Sequence, residues 1–367
     1  MRWPIILLLG VLLLELALDG VAAENPSEKQ KLIQLYDEYK TVLKDGLSDK
    51  SIPLAIEIYN LSRRIYGEKS KIHATAVFNL AQVQGHFTNY EEAASLYQQH
   101  LDILEHLETP EDEAYLFKIG LLAQTYRQAK ELKKAVVWGK KALNMAKNLK
   151  LPPEKIAPYE LDLGRTYYTT FGKGGMAARY FEKAYSHFVD AYGEDHIKVA
   201  DALFWRAKVD FYYHDSEKAA EKFERVRIIF ERELSNRHYL IWELYGLLVS
   251  AYVEMGDAEK ATQRSIAAAE HRREGFDNEI VSLFKVAPEY PYSAQLKGIG
   301  GHVIVEFTIT ETGEVEGIKT IEGENTEIFE EAAHNVAAKF RYVPSLQNGK
   351  RVKTEGILHK ITFEYRE

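Results

Sequence analysis

A single alanine returns along this chain at Ala55, Ala93, Ala135, Ala177, Ala219 and Ala261, and the last four intervals are each 42 residues. A period of that length marks a repeat array. One helical hairpin cannot bury its apolar face alone, so neighbouring hairpins must stack and share a core. Around each marker the pattern recurs: an aromatic four residues later at Tyr59, Tyr97, Phe181 and Phe223, and a small residue seven later at Ala142, Ala184 and Ala268. Spacings of four and seven define one helix face. Twelve or thirteen residues upstream stands another small residue, Ala81, Ala123, Gly164, Ala207 or Val249, followed three later by Tyr126, Tyr167 or Tyr252 in three repeats. This is the first helix of each hairpin. The small pairs let antiparallel helices approach, and the aromatic fills the gap to the next hairpin. Six hairpins are expected over residues 28–275. Gly139 and Ser265 stand where the aromatic is due, and Gln84 and Asp210 where the first-helix tyrosine is due.

These residues resemble tetratricopeptide repeats, in a long variant like that of kinesin light chains. The usual period of about 34 residues is lengthened by about one turn in each helix. Tyr66-Gly67-Glu68 and Tyr192-Gly193-Glu194, three periods apart, fit that variant. The resemblance implies a concave surface lined by outward positions of the first helices: Gln82, Gln124, Arg127, Arg165, Tyr168, Lys208 and Tyr212. Such a mixed polar and basic groove suits an acidic or extended segment of another protein, and the alternative is a merely solvated set of helix faces.

At 367 residues, with 46% hydrophobic and 28% charged residues, the chain has the length for two or more ordered domains. Residues 1–23 stand apart. Arg2, the apolar run Ile5–Leu14 and Val21-Ala22-Ala23 before Glu24 read as a signal peptide cleaved after Ala23, so export is expected. A membrane anchor is the competing reading, although the run is short of the roughly 20 residues a spanning helix needs. Membrane association is then expected only through partners or an uncleaved N-terminus. With no cysteine, neither a disulfide nor an acylated cysteine is available. The formal charge of −8, with no concentrated Lys/Arg stripe expected, argues against nucleic acid as a partner.

After Gly275 the helical period stops, and residues 276–287 are expected to be a linker. From there β-branched alternation takes over. Val303, Val305, Phe307 and Ile309 alternate with His302, Ile304, Glu306 and Thr308, giving a half-buried strand. A turn at Gly313 leads to a second strand over Val315–Ile321, and Phe329, Ala333, Val336 and Phe340 place a helix over 327–340. A third strand over 355–366 puts Ile357, Ile361, Phe363 and Tyr365 on the buried face with His359. The expected order is helix, strand, strand, helix, strand.

The segment 284–367 resembles the C-terminal domain of TonB-family energy transducers. The matching residues are Pro288-Glu289-Tyr290-Pro291, Ala294, Gly298, Gly301-His302-Val303, Gly313 with Val315, Phe329, Ala332, Ala333, Phe340, Pro344, Gly349 and Ile361–Phe363, with Tyr290, Pro291, Gly301, Gly313 and Pro344 as the signature. The expected architecture is therefore multidomain: an all-α helical-hairpin solenoid followed, over 288–367, by a small α+β domain. The resemblance implies recognition without catalysis, in which the exposed last strand pairs with an extended segment of an outer-membrane receptor or another periplasmic protein. An edge strand offers unpaired backbone donors and acceptors, and an added strand gains a hydrogen-bond ladder. Gly356, Leu358, Lys360, Thr362 and Glu364 are the candidate contact residues, and a homodimer through the same strand is open. Where energy transducers carry a long proline-rich linker, this chain has ten prolines in all. A periplasmic scaffold or assembly factor without energy coupling is the alternative function. The twelve histidines show no metal-ligand spacing, and neither a nucleophile elbow nor a phosphate loop is present, so no enzyme, metal or cofactor is expected.

Overall fold

The computed structural model describes residues 26–44, 46–235, 238–272 and 279–365; the expected signal peptide lies outside them. The chain is a helical repeat solenoid followed by a small strand-containing domain. By packing it divides into two compact units, Met1–His187 and Phe188–Glu367.

The first unit holds α1 (Pro26–Lys44), α2 (Ser51–Tyr66), α3 (Lys71–His86), α4 (Tyr90–His106), α5 (Glu113–Gln128), α6 (Leu132–Asn148), α7 (Pro153–Tyr168) and most of α8 (Gly174–Tyr192). The marker alanines fall on the even-numbered helices: Ala55 is 2% exposed, and Ala93, Ala135 and Ala177 are fully buried. Their partners on the odd-numbered helices, Ala81, Ala123 and Gly164, face the same core. The approach is tightest at Gly164, where a Cβ would lie 2.6 Å from Phe181 Cε1. At Gly139, where an aromatic was due, the Leu163 side chain reaches in instead. Ser70 and Asp112 start α3 and α5 by accepting the backbone N–H of His73 at 3.1 Å and of Tyr115 at 2.9 Å, caps worth about 1 kcal/mol each.

Helix ends follow the period too. Thr88 and Lys130 adopt left-handed backbone (φ 64° and 60°) just after α3 and α5. Each lets the next N–H reach back to close the helix, Asn89 to Gln84 O and Glu131 to Tyr126 O, both at 2.9 Å. That double closure is the Schellman arrangement.

The second unit begins with α9 (Ile197–Tyr212), α10 (Ser216–Glu233), α11 (Tyr239–Glu254) and α12 (Ala258–Ala268). His214 and Gly256 repeat the left-handed turn, and Ala219 and Ala261 are fully buried. Then come β1 (Ser282–Phe284), α13 (Tyr292–Lys297), β2 (Gly301–Ile309), β3 (Val315–Glu324), α14 (Thr326–Ala337), β4 (Arg341–Tyr342), β5 (Ser345–Gln347), β6 (Lys350–Val352) and β7 (Thr354–Phe363). The main sheet is antiparallel in the order β3-β2-β7, with smaller β1-β4 and β5-β6 pairs. Its core joins Val303, Val305, Phe307 and Ile309 to Phe329, Ala333 and Val336 of α14 and to Ile361 and Phe363 of β7. The Phe329 and Phe363 rings stack at 4.3 Å.

The sheet is longer and better braced than the alternation pattern alone implied. The β3 strand runs three residues past Ile321, and α14 ends at Ala337. Within the stretch expected to be linker, β1 packs on α11 and pairs with β4. Short two- and three-residue strands carry too few residues to show alternation. Tyr365 is 45% exposed, a correction to its expected burial. Pairing with β2 ends at Phe363, so Tyr365 leans instead against Gly298.

Candidate functional site

The β7 strand pairs with β2 on one side, and among the described residues nothing pairs with its other side. From Gly301↔Phe363 to Phe307↔Ile357 the register is unbroken. Beyond Phe307 it shifts, and Gly356, at φ 71°, marks the bulge. A left-handed glycine lets the extra residue fold out of the ladder. The regular free edge is thus Ile357–Phe363, about 23 Å long at the usual strand rise. Of the five predicted contact residues, Leu358, Lys360 and Thr362 lie on this edge and are exposed, Leu358 at 61%. Gly356 lies in the bulge, and Glu364 follows the end of the strand.

The opposite edge, β3, is also unpaired among the described residues, but its register with β2 shifts at two places. A broken edge offers a poorer template for an added strand.

The five signature residues are scaffold. Tyr290 stands edge-on to Phe329 at 5.8 Å and to Phe363 at 6.2 Å, and its hydroxyl donates to Ile299 O. Pro291 caps α13, and Gly301 opens β2 opposite Phe363. Pro344 is buried and its carbonyl accepts from Arg272 Nε at 3.0 Å. Gly313 has φ 83°, and a Cβ there would fall 2.0 Å from Tyr342 O, so only glycine serves. They build the platform for β7 without reaching its free edge.

This platform is fixed to the last hairpin. Arg272 also donates to Val343 O at 2.9 Å and Glu279 O at 2.8 Å. Ser265, in the place of the missing aromatic, is fully buried, with its Cβ 3.2 Å from where a Cβ on Gly313 would be. The turn at Gly313 therefore covers the surface that a further hairpin would cover.

The predicted groove residues divide. In the first unit Gln82, Gln124, Arg127 and Tyr168 are partly exposed. Gln124 Nε2 donates to Asp162, and with Arg127 it borders a cavity of about 10 Å³, room for a single water. Burial lowers the Arg127 pKa, opposed by Asp162. Arg165, expected on the groove surface, is only 1% exposed, which is a correction. Its guanidinium turns inward to Asp162, at 3.2 Å, because a carboxylate away from water needs a charged partner. In the second unit Lys208 pairs with Glu243 at 2.6 Å and lies 4.4 Å from the Trp205 ring centre. Tyr212 is 55% exposed and meets Tyr213 edge-on at 5.3 Å. Asp162, around which Gln124 and Arg165 converge, was missed because a carboxylate on a helix reads as solvated until its neighbours are known.

Among the described residues no group of three or more His, Cys, Asp or Glu could hold a metal ion, and no helix is long and apolar enough to cross a membrane.

Residues 286–365 match the family described as Gram-negative bacterial TonB protein C-terminal, and residues 41–106 match the tetratricopeptide repeat. Protein TonB of Pseudomonas aeruginosa is 37% identical over 76 residues, covering 21% of this chain and 22% of its own. Protein TonB of Helicobacter pylori strain J99 is 32% identical over 81 residues, covering 21% of this chain and 29% of its own. The chain thus spans less than a third of the length of these curated relatives. Among solved structures, a signal-transduction ATPase with a tetratricopeptide repeat sensor from Pyrococcus horikoshii is similar in fold, with 17% identity and a TM-score of 0.50 over 65% of this chain and 35% of that one. This chain therefore joins tetratricopeptide repeats to a TonB C-terminal domain.

Proposed function

We propose that this chain is a non-enzymatic protein–protein interaction protein of the periplasm. In this reading residues 1–23 are a cleaved signal peptide, 28–275 the repeat array and 288–367 the TonB-like domain, and the connecting stretch 276–287 includes β1, which ties the two together. The edge of β7 takes an extended segment of an outer-membrane receptor, or of another periplasmic protein, as an added strand in support of transport across that membrane. The repeats dock a second protein along the groove. The observation that carries the reading is the contrast between the two sheet edges: seven residues of unbroken register on β7 against the twice-shifted register of β3. Main-chain hydrogen bonds supply the affinity, and Leu358, Lys360 and Thr362 set the preference.

Deleting β7 would strip Ile361 and Phe363 from the core, so the test uses single photo-crosslinking side chains in the full-length protein. Probes at Leu358 and Lys360 are expected to capture outer-membrane proteins, and probes at Glu316 and Lys319 on β3 are not. Equal capture from both edges, or capture from β3 alone, removes the β7 assignment. N-terminal sequencing of the mature protein, with a start at Glu24 expected, tests export.

A second reading, a periplasmic scaffold without energy coupling, is favoured by the docking of the TonB-like platform onto the last hairpin through Arg272 and Ser265. An uncleaved, membrane-retained N-terminus would count against it.

A further inference from the structure

Helices α4 and α6 are the second helices of consecutive hairpins, so their outward stripes hold equivalent places 42 residues apart. On α4 the exposed stripe is acidic, with Glu91, Glu92, Asp102 and Glu105 and no lysine or arginine in the helix. On α6 the same places carry Lys133, Lys134, Asn144 and Lys147, joined by Lys140 and Lys141, with no acid in the helix. The basic stripe corrects the whole-chain reading, in which the formal charge of −8 concealed it. In the neighbouring array such segregation is not general; α10, for example, interleaves acids and bases along its whole length. Each stripe spans about 21 Å at 1.5 Å per residue.

At one end the two helices border a groove of about 440 Å³, lined by Glu91, Gln98 and Asp102 from α4, by Lys134 from α6 and by Tyr126 and Glu131 beside it. The stripes do not neutralise each other within the molecule. Lys134 pairs with Glu131 at 2.5 Å, Lys141 lies 4.7 Å from the Trp138 ring centre, and Gln98 donates to Asp102 at 2.8 Å. Among the described residues no ion pair joins an acid of α4 to a lysine of α6.

We propose that this two-helix face is self-complementary and pairs with the same face of a second copy. Hairpin alternation makes α4 and α6 run the same way. A two-fold axis along the groove then lays α4 of each copy on α6 of the other, whereas an axis across the helices would set like charges together. In the first arrangement Ser95 meets the place of Val137, which is 64% exposed midway along the lysine stripe, so the centre of the contact is uncharged. A flat polyanion, such as an anionic bilayer, fits less well. It would meet five lysines and four acids on helices about 10 Å apart, close to the screening length of about 8 Å. Exposed charge pairs steer and select more than they bind, so the dimer is reversible and salt-sensitive.

The test is sedimentation velocity on the full-length protein. Wild type is expected to dimerise, with association weakening at least about tenfold between about 0.05 M and about 0.5 M salt. The triple variants K133E/K140E/K147E and E91K/E92K/E105K are each expected to be monomeric and still to unfold cooperatively, with a small loss from the reversed helix-end charges, and an equimolar mixture of the two to form a heterodimer. A wild type that stays monomeric at low salt overturns the proposal, as does a mixture that fails to associate. A dimer that survives both reversals assigns self-association to another surface, such as the β7 edge. Binding of wild type to phosphatidylglycerol vesicles without dimerisation assigns the lysines to lipid.

Discussion

The repeats and the sheet domain solve the same problem, covering an apolar face, in opposite ways. In the array the solution is copied: Ala93, Ala135 and Ala177 are fully buried, and a left-handed turn follows each first helix at a fixed spacing. In the sheet domain it is made once, by single contacts such as Gly313 on Tyr342 and Phe329 on Phe363. Copied contacts fail locally, because each hairpin answers mainly to its neighbours. Unique contacts fail together.

The largest effect is expected within the array. Phe181→Ala removes the fully buried ring that covers Gly164, and a loss of about 3–5 kcal/mol is expected by denaturant unfolding. If hairpin stability is local, hydrogen exchange will rise around α7 and α8 and stay unchanged in the sheet; a uniform rise would break the contrast.

Acid comes next. His100 is 4% exposed, and its Nδ1–H donates to Ala74 O at 2.8 Å. Burial depresses its pKa to about 4, from an unfolded value near 6.5. Above pH 6.5 the ring is neutral in both states. As pH falls toward 4 the unfolded chain takes up a proton that the folded chain refuses, so up to about 3 kcal/mol of stability is lost in that window. Unfolding midpoints at pH 7 and pH 5 should differ in wild type and differ by less in His100→Gln, the remainder coming from His73 and the other buried histidines whose pKa burial also lowers.

Ser265→Phe restores the aromatic that the repeat pattern calls for. In the middle of an array it would stabilise, but here the Gly313 turn occupies the space, and a cost of about 1–3 kcal/mol is expected from overpacking. A stabilised variant would show that the sheet domain does not rest on this surface.

The smallest effect is a gain. Lys130→Gly and His214→Gly each relieve a left-handed non-glycine residue, and each should raise stability by up to about 1 kcal/mol, measured by thermal unfolding.

Much of the fold was legible because periodicity survives in a single sequence. The alanines, the aromatic at 181 and 223, and the alternation from Val303 to Ile309 all announce the faces that the structure buries. Contacts made once leave no period. Nothing in the sequence pattern marked β1 as a strand on α11, turned Arg165 inward to Asp162, or set the bulge at Gly356 that trims the β7 edge. The candidate edge was legible as a strand, and its usable length was not. The charged stripes on α4 and α6 were readable helix by helix, but averaging over the chain erased them.

The left-handed residues at Thr88, Lys130, Gly172, His214 and Gly256 make chain length in this protein a quantised variable. Insertion or loss of a whole 42-residue period returns every small residue to a matching neighbour and every turn to its closing carbonyl. Other lengths must be absorbed in a loop between helices, as the 38-residue step from Ala55 to Ala93 is, with both alanines still buried. Variation in this architecture is therefore expected to come in whole hairpins, with the sheet domain travelling unchanged at the end.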